Sequence, residues 1–454
     1  MNLSGIIIAA LLLAAPPQDG PVVRHPKVNE GALVTDSITV TFVSRKQHYN
    51  SRDTLTYDRD ITSPKSVSVH PDGRTCYVNS LEGGSTVSFD VETGEKISVI
   101  SHKIDSSHID LWAPDSGLFP FTYDYEHPDF FTGKPVESAF SHGGAYLWVP
   151  YYRRSFDLNA QDPSAVAVID TQSDVIVRLF ETGPLPKMVA SSDDGKWVAV
   201  THWGNNTVGL IDVSSDNPAQ WRYWDCFTVD YKLRLNFSRS VPVNRDEGSG
   251  YCLRGTLFTP DGRYLMVGCM GGSGGIAVID LEQSRYLGRV MGAMPNVRHI
   301  LCSGGYLYLS VNNRGYVQRA PMDSIYAAAA RLEEGRSTAV AGGWESCKVL
   351  SGARTIVASP DGEFIFVACN RDSRIAVVST RTMTMVGSVA ADSFPVGLDI
   401  SEDGRTLIST SQGRVGVGGG NAVDIFRIEY TYEKKDIDSG GAFDTAPVQV
   451  MGTD

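Results

Sequence analysis

The chain has 454 residues, enough for two or three ordinary domains or for one large repeat domain. Hydrophobic residues make up 42%, which permits a large core, and a charged fraction of 20% speaks against a long disordered region. The balance of 40 basic against 52 acidic residues gives a net charge of −12, which argues against nonspecific nucleic-acid binding but leaves room for a local basic site.

The chain opens Met1-Asn2-Leu3-Ser4, followed by an apolar run over residues 5–15 and by Pro16-Pro17. This reads as a secretory signal peptide over residues 1–20, although no Lys or Arg precedes the run. The expectation is an exported protein of the periplasm or cell surface, peripherally associated with the envelope. The run is too short to span a bilayer, and no transmembrane helix is expected after it. Residues 21–435 are expected to form one domain, with a tail over residues 436–454.

Residues 37–43 alternate as a strand should. A unit then begins that recurs along the chain: an apolar strand, an Asp-Gly turn, a second strand, a Gly/Asn turn, a third strand ending in Asp, and a fourth. The clearest copy spans residues 65–100, with its turn at Pro71-Asp72-Gly73. The second copy offers Val136 and Glu137 at its entry, a weaker turn at His142-Gly143-Gly144 and a third strand over 165–170. The third carries Lys187, the turn Asp193-Asp194-Gly195, His202 at the end of its second strand, and a third strand over 207–212. In the fourth, Arg254 precedes Pro260-Asp261-Gly262 and a strand over 276–280. The fifth has Arg298 and His299 before the shorter turn Ser303-Gly304-Gly305, then the one good helix candidate, over 323–334. Arg354 precedes Pro360-Asp361-Gly362 in the sixth, and Val396 precedes Glu402-Asp403-Gly404 in the seventh.

Asp-Gly supplies a turn that needs positive φ. The flanking runs are rich in Val, Ile and Tyr, as buried strands require. A four-stranded unit has two apolar faces and cannot bury both alone, whereas radial stacking buries them. The fold class expected is all-β: a seven-bladed β-propeller of four-stranded antiparallel blades. The seventh unit lacks a fourth strand, so residues 37–43 are expected to close it and remove an exposed edge.

Tyr77-Val78-Asn79, together with the spacing Pro-x-x-Val-x-x-x-Pro-Asp-Gly from Pro64 to Gly73, resembles the YVTN-type β-propellers of bacteria and archaea. The resemblance covers roughly residues 63–430 and implies a propeller fold. It implies little about function, because the group is similar to surface-layer proteins, to lactonase-type propellers and to the haem-bearing propeller of nitrite reductase.

In a propeller, the turns joining strands one to two and three to four lie on one face, and the remaining connections on the other. The long connections, over residues 102–134, 151–163, 230–251, 316–352 and 412–420, are all expected on the second face, where long loops on a rigid scaffold carry function. Lys65, Lys187, Arg254 and Arg354 each precede their turn glycine by eight residues. Arg298 and His299 fall close to the same place, and Glu137 lies beside it in the second unit. This position enters the innermost strand, beside the central channel. Gathering cations is repulsive, so an anion should relieve it, and Arg would grip a carboxylate or phosphate at two points.

The ligand-binding candidates are therefore Lys65, Glu137, Lys187, His202, Arg254, Arg298, His299 and Arg354. The aromatic stretch over residues 112–127 could grip a ring or sugar, or plug the blades. The seven cysteines form no C-x-x-C or C-x-x-C-H motif and read as small buried hydrophobes rather than metal ligands. No Ser/His/Asp nucleophile motif and no H-E-x-x-H is recognisable. The leading reading is a binding or interaction module holding an anionic small molecule, a glycan or a protein, with no cofactor and no metal. A lactonase-like hydrolase, in which funnel Arg and His polarise a carbonyl and Glu137 or Glu247 moves protons, is second. A haem held non-covalently by His202 or His299 is third.

Overall fold

A computed structural model describes residues 32–233, 250–414 and 419–431. Seven antiparallel sheets stand around one axis as a seven-bladed β-propeller, as expected. Blade 1 runs Pro64–Val69, Thr75–Ser80, Ser85–Asp90 and Lys96–Ser101 from the axis outward. Blades 3 and 6 repeat that order, from Pro186–Ser191 to Arg222–Thr228 and from Ala353–Ala358 to Thr384–Ala390.

The recurring turn has one construction. In blades 3, 4, 6 and 7 a Ser or Thr two residues before the Asp donates its hydroxyl to that carboxylate: Ser192 to Asp194, Thr259 to Asp261, Ser359 to Asp361 and Ser401 to Asp403, at 2.5–2.6 Å. The same carboxylate accepts the backbone N–H two residues on, as in Arg263 to Asp261 at 3.2 Å. The glycine then turns the chain at φ near +70°, for instance +69° at Gly262, where a Cβ would be strained. In blade 1, His70 replaces the hydroxyl residue, and its Nδ1 lies 3.1 Å from Asp72.

The seventh blade closes as the sequence predicts. Its fourth strand is Ile38–Gln47, paired antiparallel with Ala422–Tyr430, and Ala32–Val34 adds a fifth. Ile38, Val40, Phe42, Phe426 and Ile428 are buried in one cluster with strands of blade 6. Arg45 on the closing strand donates to Asp424 from Nε at 2.5 Å and from Nη2 at 2.9 Å, and its Nη1 lies 3.0 Å from Asp392.

Two blades depart from the plan. In blade 2 the innermost strand is broken into Phe131–Pro135 and Ala139–Ser141, and both pieces pair with Tyr146–Arg154. In blade 5, Tyr316–Pro321 is the third strand and Glu345–Lys348 the fourth. The inserted helix, Met322–Glu333, therefore joins strands three and four. This corrects the assignment of residues 316–352 to the loop face. The Met322 N–H donates to Gly305 O, within the one-to-two turn, so the helix lies on the face of minimal turns. It packs over blade 4 through Ile325, Ala328, Ala329 and Leu332, and Thr338–Val340 joins blade 4 as a parallel fifth strand.

Cys76, Cys269 and Cys369 lie wholly buried in second strands, among the apolar residues between blades. Among the described residues, no helix is long and apolar enough to cross a membrane. Residues 1–31 and 432–454, which include the expected signal peptide and tail, lie outside the described residues.

Blades 4 and 5, and blades 7 and 1, meet closely at the axis where the inner strand carries glycine, at Gly255 and Gly397. A Cβ on Gly255 would stand 2.5 Å from the Ile300 backbone nitrogen and 2.8 Å from the His299 Cα. Neither backbone atom can swing aside. Gly255→Ala is expected to destabilise by about 1–3 kcal/mol, read as a lower urea midpoint at unchanged slope. An unchanged midpoint would mean that the blade 4–blade 5 contact is loose.

Candidate functional site

The sequence spacing of the cations has a structural cause. In each of six blades the inner strand slips register against its neighbour near its start. The irregularity falls between Pro64 and Ser66, Pro186 and Met188, Leu253 and Thr256, Val297 and His299, Ala353 and Ile356, and Pro395 and Gly397. A bulge re-aims the side chain it carries. The residues at these slips are Lys65, Lys187, Arg254, Arg298, Arg354 and Val396. In blade 2 the break in the inner strand takes the same place and carries Glu137. Of the two candidates in blade 5, Arg298 holds the repeat position and His299 pairs regularly with Ser310.

Lys65, Lys187, Arg254 and Arg354 are all buried, between 5% and 8% exposed. They come from four blades yet share one electrostatic neighbourhood. Burial pushes the Lys65 ammonium well below its usual range, Arg354 pushes the same way, Glu137 opposes, and Arg254 and Lys187 add further repulsion. Glu137 Oε1 stands 3.9 Å from Arg254 Nη1. The Glu137 backbone carbonyl accepts from Asn79 Nδ2 at 3.1 Å, which fixes the break in the strand.

Two aromatic residues that the sequence reading did not single out brace these cations. The Arg254 guanidinium lies 4.3 Å from the Trp203 ring centre. The Lys187 ammonium lies 3.9 Å from the Tyr152 ring centre and 5.2 Å from that of Trp203. A cation over an aromatic face gains more when desolvated, as here. The available signal was positional: Trp203 follows the end of a second strand, and Tyr152 falls in the 151–163 connection.

The two candidate histidines divide. His299 lies beside the ring: burial, then Arg254 and Arg298, push its imidazole down to about 4. It is neutral at pH 7, and its Nδ1 is buried with no hydrogen-bond partner among the described residues. His202 is set in the seam between blades 2 and 3 instead. It is fully buried, its Nδ1 lies 2.8 Å from Thr207 Oγ1, and Phe119 meets its ring edge-on at 5.3 Å. A Cβ on Gly183 would strike it at 2.8 Å, and one on Gly209 would strike Tyr223 at 2.8 Å and crowd His202 at 3.2 Å, so glycine on both flanking strands makes its room. Arg298 acts with Arg254 on His299, and its Nη1 lies 3.1 Å from Met270 Sδ. Glu247 lies outside the described residues.

The aromatic stretch packs on the blades. Ser106–Leu111 forms a 3-10 turn, Trp112 bridges to Leu179, and the Ala113 N–H donates to Leu179 O at 2.7 Å. The stretch is thereby pinned to the outermost strand of blade 2. Arg154, only 1% exposed, locks it from beneath, with its guanidinium about 5 Å from the ring centres of Trp112, Tyr123 and Phe131.

Among the described residues, no group of three or more His, Cys, Asp or Glu side chains is placed to hold a metal ion.

No family model matches the chain. Over 210 residues it is 23% identical to "Antigen Lp49" of Leptospira interrogans serogroup Icterohaemorrhagiae serovar copenhageni (strain Fiocruz L1-130), an alignment covering 42% of this chain and 41% of the antigen. The matched part is thus about two fifths of the length of that relative. In structure, the chain is similar to Kuenenia stuttgartiensis hydrazine synthase, with a TM-score of 0.56 over 82% of this chain and 97% of that one. The likeness is one of fold. At 15% identity it extends to the propeller and no further.

Proposed function

We propose that this propeller is a binding module that holds a small carboxylate or phosphate ligand at the cation cluster of its axial mouth. The observation that carries this reading is the convergence of Lys65, Lys187, Arg254 and Arg354 from four bulged inner strands into one buried neighbourhood. Evolution of a fold alone asks for no such gathering, since repulsion between desolvated cations works against folding. An anion arriving there reverses the sign of that term. Arg254, stacked on Trp203, and Arg354 would supply the two-point contacts, and Lys65 and Lys187 point charges. We propose further that the protein is exported and works in the periplasm or on the cell surface, a reading supported by the apolar run over residues 5–15.

The test uses citrate and inorganic phosphate as probes. Each is expected to raise the unfolding temperature of the wild type, and Arg254→Ala or Arg354→Ala to weaken binding about tenfold or more, as the loss of one charged hydrogen-bonding group does. Equal stabilisation of the wild type and both variants would sink the proposal. A visible spectrum and a lactone screen separate it from the redox and hydrolytic alternatives.

A further inference from the structure

Away from the axis, the pinned aromatic stretch and the outer strands of blades 2 and 3 enclose a cleft of about 280 Å³. Its wall is formed on one side by Trp112, Asp115 and Asp129, and on the other by Phe180, Glu181 and Tyr223. These positions are held from behind. Tyr223 OH donates to the Glu181 backbone carbonyl at 2.7 Å, and Tyr123 OH to Glu181 Oε1 at 2.6 Å. Arg154 Nη2 lies 3.4 Å from the same Oε1 and Nη1 4.0 Å from Asp129 Oδ1. One guanidinium thus faces two carboxylates, Glu181 and Asp129, while Asp115 lines the same cleft; Asp115 and Asp129 stand at the exposed rim. Burial raises the Glu181 carboxyl above its usual range; Tyr123 and Arg154 pull it down, while Asp115 and Asp129 push it further up.

The polar inventory of this cleft is specific. Its carboxylates accept hydrogen bonds and attract positive charge. Trp112 Nε1–H is a buried donor with no acceptor among the described residues, a state that costs about 1–3 kcal/mol. Trp112 and Tyr223 add aromatic surface on which an apolar ring face or an ammonium can rest. At the low end of the usual size for ligand cavities, the cleft has room for a monosaccharide-sized molecule.

We propose that this cleft is a second binding site, independent of the axial one, for a hydroxylated primary amine of monosaccharide size, an amino sugar. The ammonium pairs with Asp115, Asp129 and Glu181. Ligand hydroxyls donate to the carboxylates. The carbon face lies against the aromatic wall. A neutral sugar satisfies the second and third of these and lacks the first, and a simple amine lacks the last two.

The experiment is calorimetric titration of the whole protein with glucosamine, and with glucose and N-acetylglucosamine as neutral counterparts. Glucosamine is expected to bind, with both neutral sugars at least tenfold weaker. The rim double variant Asp115→Asn/Asp129→Asn is expected to weaken glucosamine about fivefold or more, while its thermal unfolding stays close to that of the wild type. Because these side chains are at the rim, loss of folding is not the expected confounder. A second measurement guards against it, namely whether citrate still stabilises the variant as it does the wild type. Saturating citrate is expected to leave glucosamine binding intact. Equal affinity for glucose and glucosamine, no glucosamine binding at millimolar concentration, or competition with citrate would each overturn the proposal. Failure of citrate to bind at all, with glucosamine binding preserved, would count against the axial reading alone.

Discussion

Arg45→Leu is expected to lower the stability of the protein by about 3–5 kcal/mol, the usual consequence of removing one partner from a buried ion pair. Arg45, Asp392 and Asp424 are 3%, 1% and 0% exposed, so water cannot take over the role of the missing group. The Arg45 guanidinium holds Asp424 by both oxygens and Asp392 by one. Burial works against its charge, yet the two carboxylates outweigh that and hold its pKa above the usual range. Without Arg45, two carboxylates remain side by side in the interior: Asp424 keeps the Asp392 N–H at 2.8 Å, and Asp392 keeps the Ser393 and Gly420 N–H groups. One of them must take a proton or the seam must open. The measurement is equilibrium unfolding in urea at pH 7. Adding Asp424→Asn to the variant should recover part of the loss, since much of it is the penalty of a stranded charge. A loss below about 1 kcal/mol, a value typical of exposed pairs, would mean that the seam is wet and that Arg45 does not hold it.

The second large effect is expected from pH. Burial pushes the His202 imidazole down to about 3, with Lys232 contributing. The His102 imidazole, between Thr86 at 2.8 Å and Tyr151 at 2.9 Å, is likewise pushed down to about 3 by burial. In the unfolded chain a histidine titrates near 6.5. Below that pH the unfolded state binds a proton that the native state refuses. The stability each neutral histidine supplies is therefore complete above pH 6.5 and is lost as pH falls toward 3. Buried carboxyls such as Asp399, pushed up to about 6 by burial, act in the opposite direction. The clean measurement is a difference: wild type minus His202→Leu, followed from pH 7 to pH 4. It is expected to be flat above 6.5 and then to fall by about 1.4 kcal/mol per pH unit. The same comparison with His102→Leu should behave alike. Parallel curves for wild type and variant would show that the native imidazole takes up its proton as readily as the unfolded one.

Local chemistry decided how much of this could be read from residues alone. The Asp-Gly turns are legible because one carboxylate and one positive φ must recur wherever two strands reverse. The closing strand is legible because residues 37–43 alternate and the seventh unit lacks a partner. The ring of cations is visible as a spacing, but its cause is not: the register slips at Lys65, Lys187, Arg254 and Arg354 depend on pairing with a second strand, which no single segment encodes. Nor could spacing choose between Arg298 and His299, because the hairpin of that blade is shorter: His299 pairs with Ser310 where Ser66 pairs with Asn79. The helix-bearing insertion was misplaced for a similar reason. Tyr316–Pro321 mixes Gln and Arg into its run and lacks the terminal Asp of other third strands, so it reads as part of the connection. The bracing faces of Tyr152 and Trp203 come from separate blades, and only the closed ring brings them to the cations.

Closure by the first strand also sets the order in which the molecule can be made. Arg45 and Asp424 are 379 residues apart in the chain. Joining ends that distant costs about 3 kcal/mol more in loop entropy than closing a ten-residue hairpin, and contacts of such long range slow folding. Six blades can form as the chain emerges, each from its own contiguous stretch. The seventh waits for the last strand while Ile38–Gln47 stays unpaired from the outset. The finished ring is thus a kinetic device as well as a shape. Its lifetime is governed by how often one seam opens, and whatever holds an incoming chain must shield one early strand until the final one arrives.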